Sequence, residues 1–367
     1  MFYIAYPWFS PSYLAGGPTQ SLLHLVQQIN QEIDITVLCS AKEIDGTNLA
    51  VEPNQFTPFS TNTRIWYSGQ SNIIAWCRFI NKQPAGIWYI NGIYSLRFAL
   101  LPLWLGKGKK IICPRGMLDT GSLHQKKRKK QFFLYFFQWI AKRRKVLFHA
   151  TSAVEAKNIE RIMGRDVAIK LIPNFPKLLL PLEVPQKKLG QLTLISIALI
   201  GPMKNHLLVL QALEKCSSQI EYLIYGPIAD PAYWNECLQQ MSRLPPNIRV
   251  QYRGVIHPDQ ISTALSDAQV YIQPSNSENF GHSLVEAMSA GRPIITSNHT
   301  PWNNLEQAKA GMNVDHTSMA SIRAAIDYFA LMDEQSFQGW SNGAHEYAYR
   351  AFDIASIKND YLALFHH

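Results

Sequence analysis

Short runs of β-branched and aromatic residues alternate with longer amphipathic segments through the first half of the chain. Strand-like runs cover residues 2–6, 34–39, 88–90 and 110–113, and a helical pattern covers residues 20–30. This alternation predicts a parallel sheet covered by helices. A further strand-like run at residues 167–172 is followed by prolines that recur from Pro176 to Pro185. We interpret the proline-rich stretch as an interdomain linker.

The same alternation restarts after the linker. Strand-like runs at residues 192–199, 220–225, 248–252 and 270–273 are separated by helical patterns at 205–215, 232–241 and 258–265. Three further helices are predicted at residues 318–331, 333–350 and 354–365. A chain of 367 residues exceeds the size at which one hydrophobic core usually stops growing, so two domains are expected.

The predicted organisation is therefore two α/β domains. The expected parts are a Rossmann-like N-terminal domain at residues 1–175, a linker at 176–190, a second Rossmann-like domain at 191–350 and a C-terminal helix at 351–367. Periodicity leaves open which domain the last helix packs on, and the N-terminal domain is one option. Open α/β sheets facing each other across a cleft bind ligands at the carboxyl ends of their strands, so the loops after the strands are where chemistry is expected.

Composition mainly excludes classes of protein. Hydrophobic residues make up 47% of the chain and charged residues 17%, which argues against disorder or a fibrous repeat. No apolar run approaches the length of a membrane span and no signal-peptide pattern is present, so a cytoplasmic location is expected. The five cysteines have no zinc-ligand or redox spacing. A net charge of +9 favours anionic partners without choosing among them.

The most informative chemistry lies in residues 273–293. A strand should end at Gln273, and after a polar loop a helix should begin near His282 and stop at Gly291. Free amides and the helix dipole at such a place suit a phosphate or a polyhydroxylated ligand. The amides expected there belong to Asn279, Phe280 and Gly281.

Two glutamates flank the start of this helix. Glu278 lies in the loop and Glu286 lies about one turn into the helix, so the two carboxylates can address different groups of one ligand. Carboxylates accept well from pairs of hydroxyls, which suits a sugar and a ribose. The plain alternative is that Glu286 only complements the dipole of its helix and that Glu278 is a solvated loop charge.

This block resembles the Glu-x7-Glu signature of the retaining glycosyltransferase family 4, which has the GT-B fold of two Rossmann-like domains. The matching positions are Pro274, Ser275, Glu278, Asn279, Phe280, Gly281, Glu286, Ala287, Gly291 and Pro293. The resemblance implies that Glu278 and the amides of residues 279–281 hold the donor sugar. It also implies that Glu286 binds the ribose hydroxyls and that the backbone of Leu284 helps to seat the diphosphate.

Two further loops support the resemblance. Gly16 and Gly17 follow the first strand, as the family's glycine loop over the donor phosphates does, although alone they indicate only a flexible turn. The loop after the first strand of the second domain contains Lys204 and Asn205, which the resemblance assigns to the donor diphosphate. Without the resemblance, Lys204 would be a surface lysine at a helix start. The family has an arginine five residues before this lysine, and Leu199 stands there instead.

Residues 112–119 resemble a Pro-Arg-Gly-Met-Leu segment of some polysaccharide-biosynthesis members of the family. Many other members have a histidine at this place. The segment contains Arg115, which could approach the donor or an acceptor phosphate and substitute for the arginine missing at Leu199. Its alternative role is a structural ion pair with Asp119 or another carboxylate.

A basic run is formed by Lys126, Lys127, Arg128, Lys129 and Lys130, and residues 142–145 repeat it after an aromatic stretch. One interpretation is a solvated helix whose apolar face belongs to the core, with Phe133, Phe136, Phe137 and Ile140. The other is a basic flank that holds the protein on an anionic membrane near a lipid-linked acceptor. We expect a mixture of the two. The run lacks a nucleic-acid fold motif, so no nucleic-acid partner is expected.

The function expected from the resemblance is retaining transfer of a sugar from a nucleoside-diphosphate sugar to a hydroxyl of a glycan or lipid-linked glycan, in cell-surface polysaccharide biosynthesis. The candidate catalytic residues are Lys204, Glu278 and Arg115. No cofactor or metal is expected, because the chain has no Asp-x-Asp motif and no cysteine or histidine cluster. A nucleotide-sugar epimerase on the GT-B scaffold and a non-catalytic nucleotide-sugar-binding component of an assembly complex remain alternatives. The expected location includes the inner face of the cell membrane.

Overall fold

The computed structural model describes residues 1–69, 72–119 and 127–366. They form two compact units. Unit 1 comprises Met1–Phe175 and Asp353–His367, and unit 2 comprises Pro176–Phe352. Each unit is built on one sheet with helices packed against it. Within the described residues, no helix has the length and apolar composition needed to span a bilayer.

The described part of unit 1 contains an eight-stranded sheet. Its strands are β1 (Phe2–Ala5), β2 (Ile35–Ser40), β3 (Phe56–Ser60), β4 (Thr63–Ser68), β5 (Ile87–Asn91), β6 (Lys110–Cys113), β7 (Leu147–Ala150) and β8 (Ala168–Leu171). The strand order is β3-β4-β2-β1-β5-β6-β7-β8, and only β3 and β4 pair in antiparallel fashion. The helices before the end of β8 are α1 (Gly17–Ile29), α2 (Ile73–Lys82), α3 (Leu101–Leu105), α4 (Lys127–Arg143) and α5 (Ala153–Met163), with a π-helical turn at Leu96–Leu100.

Local chemistry explains where two of these helices begin. Helix α1 starts at Gly17, three residues before the predicted residue 20, because Pro18 fits the first turn of a helix. Helix α2 starts after Asn72, whose side chain accepts from the amide of Ile74 at 2.9 Å. The sequence patterns had indicated neither α2 nor the β3–β4 pair.

Unit 2 contains a fully parallel six-stranded sheet in the order β11-β10-β9-β12-β13-β14. Its strands are β9 (Gln191–Ile197), β10 (Gln219–Tyr225), β11 (Ile248–Tyr252), β12 (Val270–Gln273), β13 (Ile294–Ser297) and β14 (Gly311–Val314). Its helices are α6 (His206–Leu213), α7 (Pro231–Met241), α8 (Ile261–Ser266), α9 (His282–Ser289), α10 (Met319–Ala330) and α11 (Glu334–Arg350). Single 3-10 turns occur at Pro202–Lys204 and Pro258–Gln260.

Strand β9 shows how the sheet of unit 2 is covered on both faces. Leu192 and Leu194 lie in one apolar cluster, whereas Ile195 and Ile197 lie in another. Successive side chains of a strand point to opposite faces, and a parallel sheet is normally buried on both. The sheet therefore leaves its strand ends as the place where polar loops can gather.

Residues 176–190, which we interpreted as a linker, lie against unit 2 and contain neither helix nor strand. The buried Arg292 donates to the carbonyl of Glu183 at 2.6 Å, and the amide of Leu182 donates to the carbonyl of Ala290 at 3.2 Å. We call residues 176–190 the strap. Because buried groups hold it, the strap is an ordered part of unit 2.

The C-terminal helix, α12 (Ile354–His366), belongs to unit 1. The ring of Phe365 lies 4.3 Å from that of Phe2, measured between centroids. Lys358 forms an ion pair with Glu32 at 2.6 Å. The chain thus returns to the first unit after completing the second.

Candidate functional site

Three loops meet at the carboxyl edge of the sheet in unit 2. After β9 the chain turns through Pro202–Lys204 to Asn205, which has a left-handed φ of 64°. The side-chain amide of Asn205 donates to the carbonyls of Pro274 and His316, at 3.2 and 2.7 Å. Asn205 was predicted to contact the donor, and the structure uses its amide to hold together the loops that follow β9, β12 and β14.

Glu278 is the centre of a polar cluster in the loop after β12. Its Oε1 accepts from Lys204 Nζ, from Gln273 Nε2 at 2.8 Å and from Ser275 Oγ at 3.2 Å. The side chains of Lys204 and Glu278 are 20% and 12% exposed. Glu278 is therefore held in place rather than solvated. Among the described residues, all three donors reach the same carboxylate oxygen.

A second layer holds Gln273 itself. The hydroxyl of Tyr271 lies 2.9 Å from Gln273 Oε1 and 2.8 Å from Ser283 Oγ in α9. Burial raises the pKa of Tyr271 above its ordinary value, so the phenol stays protonated and can donate. The β12 strand end, the Glu278 loop and the first turn of α9 are thereby joined.

Helix α9 begins at His282, as the sequence predicts, and Gly281 precedes it with a left-handed φ of 76°. The left-handed φ explains the glycine, and a Cβ there would also lie 2.8 Å from Leu284 Cδ1. The amide of Leu284 donates to the carbonyl of Gly281 at 3.0 Å, so it is already engaged within the first turn. Asn279 and Phe280, which were predicted to bind the donor sugar, come directly before this turn. Phe280 is buried, and its carbonyl accepts from Trp302 Nε1 at 2.7 Å.

Glu286 differs from Glu278 in its hydrogen bonding. It is 6% exposed, and no described residue donates a hydrogen bond to its carboxyl group. Burial raises the pKa of Glu286 to about 7, and the charge of Lys177 partly opposes this. Lys177 lies in the strap, where its Nζ donates to the carbonyl of Pro258 at 3.3 Å. Buried polar groups are normally hydrogen-bonded, so this carboxyl is a candidate to accept hydrogen bonds from a ligand.

The glycine loop of unit 1 is ordered by a carboxylate. Glu43 accepts from Ser12 Oγ at 2.7 Å and from the amide of Tyr13 at 2.8 Å. Gly16 precedes α1 with a φ of 73°, and Gly17 is the first residue of that helix. Glu43 thus holds the turn that leads into the glycines, and the contact of Gly16 and Gly17 with donor phosphates stays a prediction.

Arg115 lies at the carboxyl edge of the sheet in unit 1, after β6, and is 9% exposed. Its Nε donates to Asn91 Oδ1 at 2.5 Å, its Nη1 donates to Asn174 Oδ1, and its Nη2 donates to the Tyr89 hydroxyl at 3.3 Å. All three partners are neutral. The predicted ion pair with Asp119 does not form among the described residues, because the guanidinium binds these neutral groups of unit 1 instead. The approach of Arg115 to a donor or acceptor phosphate stays a prediction.

The basic run falls largely outside what can be described. Lys126 lies outside the described residues, and of residues 127–130 only the helical backbone of α4 is described. Phe137 and Ile140 are buried, as expected for a core-facing side. Phe136 is 49% exposed, so its assignment to the core is wrong.

The domain that contains this site is similar to a known protein family. The family of glycosyl transferases group 1 matches residues 182–346. These residues form a glycosyl transferases group 1 domain. The domain contains Lys204, Glu278 and Glu286, and the match agrees with the glycosyltransferase class that the sequence predicts.

Similar proteins support the same class and the fold. Alpha-monoglucosyldiacylglycerol synthase from Streptococcus pneumoniae is 28% identical over 116 residues, which cover 32% of this chain and only 26% of that relative. Sucrose-phosphate synthase from Thermosynechococcus elongatus has a TM-score of 0.74 at 16% identity, covering 100% of this chain and 98% of that one. Anabaena HepE in complex with UDP and glucose has a TM-score of 0.74 at 17% identity, covering 99% and 98%. The predicted GT-B fold class is confirmed.

Several residues of the group 1 domain site were missed in the sequence. Gln273 could have been noticed as a polar residue at the end of a buried strand, where ligands bind. Lys177 and Tyr271 gave no such signal. Leu199, which stands in the place of the family's arginine, is 38% exposed after β9. Within the described residues, no three His, Cys, Asp or Glu side chains are grouped as metal ligands.

Proposed function

We propose that this protein is a retaining, family 4 glycosyltransferase that moves a sugar from a nucleoside-diphosphate sugar to a hydroxyl of a glycan or lipid-linked glycan in cell-surface polysaccharide biosynthesis. The observation that supports it best is the Glu286 carboxyl, which is buried in the group 1 domain and accepts no hydrogen bond from any described residue. The adjacent hydroxyls of a ribose would supply the two missing hydrogen bonds.

The donor sugar would bind beside Glu278. Three protein donors already occupy Oε1, which leaves Oε2 to accept from a sugar hydroxyl. The diphosphate would lie between Lys204 and the N-terminus of α9, where a cation and the helix dipole both favour negative charge. Asn205 would act by fixing the loops around Lys204.

During transfer the bond between the sugar C1 and the diphosphate oxygen breaks, and a bond from C1 to the acceptor oxygen forms on the same face. The acceptor proton passes to the departing diphosphate. Negative charge therefore builds on the diphosphate, and Lys204 stabilises it more in the transition state than in the ground state. We propose that these groups suffice without a bound metal, so that transfer persists in excess chelator.

A thermal-shift screen against UDP, GDP, ADP and their sugars tests donor binding, because a ligand that binds only the folded state raises Tm. HepE was solved with UDP and glucose, which makes UDP-glucose the first donor to try. Transfer to lipid-linked and free glycan acceptors is then followed with that donor. Absence of any nucleotide-dependent shift would contradict the proposal.

A second candidate function is supported by Leu199. The loss of one of two cations at the diphosphate weakens stabilisation of the leaving group, which suits a component that binds nucleotide sugars without transferring them. Donor affinity without transfer or hydrolysis, with transfer gained in Leu199→Arg, would favour this function. Formation of an epimer from donor alone would instead indicate the epimerase.

A further inference from the structure

Helix α4 has two apolar faces that differ in what covers them. Leu134, Phe137, Ile140 and Ala141 are at most 8% exposed and belong to a core cluster of unit 1. On the other side, Tyr135, Phe136 and Trp139 are 74%, 49% and 51% exposed. A helix needs only one apolar face to pack on its own core, so the outward face requires a separate explanation.

A residue from α3 extends the outward face. The ring of Trp104 stacks on Trp139 with centroids 5.6 Å apart, and Phe136 stacks on Trp139 at 6.0 Å. We call Trp104, Tyr135, Phe136 and Trp139 the aromatic surface. Because three of its rings stack on one another and come from two helices, the surface is a preformed feature of unit 1.

Cations border the aromatic surface. The Arg143 guanidinium lies 5.8 Å from the Trp139 ring centroid, and that of Arg144 lies 5.4 Å from the Trp104 ring centroid. The sequence around them is strongly basic. Residues 120–154 contain five lysines and arginines at 126–130 and four at 142–145, and no aspartate or glutamate.

We propose that the aromatic surface docks on the interface of an anionic lipid bilayer. Tryptophan, tyrosine and arginine combine an apolar body with a polar or charged end, which suits the boundary between acyl chains and headgroups. The adjoining cations, with no acidic residue to oppose them, favour a negatively charged membrane over a neutral one. A protein partner would have to match both features with an acidic rim around an apolar pocket, and an anionic membrane presents both without such a fit.

Sedimentation with phosphatidylcholine vesicles, with and without phosphatidylglycerol, tests the proposal using the full chain and no donor or acceptor. Its result is thus separate from that of the transfer assays. The wild type should bind the anionic vesicles and lose binding in high salt. Arg143→Ser with Arg144→Ser should weaken binding by about tenfold or more, since each basic group near the surface contributes about a factor of five. Phe136→Ala with Trp139→Ala should separately weaken it by about tenfold or more, because the apolar area buried in the membrane is lost.

Tyr328→Ala with Arg249→Ser provides a matched control, because both residues are exposed and lie in unit 2. This variant should bind vesicles like the wild type. Thermal unfolding of every variant checks that exposed positions were changed without loss of fold. The proposal is overturned if the wild type does not bind anionic vesicles or binds neutral vesicles equally well. It is also overturned if the aromatic and the arginine variants both bind like the control. Concentration-dependent dimerisation lost in the aromatic variant, without vesicle binding, would identify a second copy as the occupant instead.

Discussion

Two buried charged side chains, Arg115 in unit 1 and Glu286 in unit 2, stand near the carboxyl edges of their sheets and differ in how they are satisfied. They are 9% and 6% exposed. Every nitrogen of the Arg115 guanidinium has a protein partner, whereas no described residue donates to the Glu286 carboxyl. Burial alone therefore does not identify a ligand-binding charge. Under the proposed function a missing partner does, because the ligand would supply the hydrogen bonds that the described residues leave out.

We expect the largest effect from the loss of the Arg115 guanidinium, whose hydrogen bonds stabilise unit 1. Arg115→Met leaves Asn91, Asn174 and Tyr89 without their charged donor, and we expect unit 1 to lose roughly 4 kcal/mol of unfolding free energy. Urea unfolding of the two proteins measures the difference. Donor nucleotide affinity of the folded variant should stay unchanged. A variant of wild-type stability that no longer transfers sugar would instead support the predicted catalytic role of Arg115.

The pH dependence of the free energy of unfolding tests the comparison at Glu286. The pKa of Glu286 is raised from 4.5 to about 7 in the folded protein, so the folded state binds the proton more tightly than the unfolded state. The stability from this group is complete below about pH 4.5 and is lost as pH rises through 7. Glu286→Gln has no such loss. Its free energy of unfolding should therefore exceed that of the wild type by up to about 3 kcal/mol more as pH rises from 5 to 8.

Denaturant unfolding at several pH values measures this gain. Glu346→Gln serves as the control, because Glu346 is an exposed glutamate on α11 with 58% side-chain exposure. Parallel stability curves for Glu286→Gln and the wild type would mean that the Glu286 carboxyl is ionised at little cost, which contradicts its status as an unsatisfied group.

Lys204 differs from both residues, since its ammonium group is paired with Glu278 but its side chain is still 20% exposed. We predict that Lys204→Met lowers kcat by about a hundredfold with a smaller change in KM, because the lost charge acts on the departing diphosphate. Steady-state kinetics with saturating donor measures both constants. Lys215→Met, a change at a surface lysine with 52% exposure, should leave them unaltered. A change confined to KM would assign Lys204 to ground-state binding alone.

The contrast also shows what sequence patterns can predict. The strand, loop and helix around Gly281 and Glu286 follow from local signals, because glycine, the turn and the helix start lie within a few residues. The role of Arg115 does not, since its partners lie 24 and 59 residues away in the sequence. The β3–β4 pair was not predicted from the sequence for a related reason. Phe56 and Pro58 sit on a half-exposed edge strand, which has no buried apolar run to mark it.

Calorimetric titration with a nucleoside diphosphate and its 2′,3′-dideoxy analogue tests directly whether the Glu286 carboxyl binds a ribose diol. The wild type should bind the analogue at least about tenfold more weakly, because two charge-assisted hydrogen bonds are lost. Glu286→Leu, which removes the carboxylate, should bind both ligands weakly and equally. If the wild type does not distinguish the ligands, or if Glu286→Leu distinguishes them as strongly as the wild type, Glu286 does not bind the ribose.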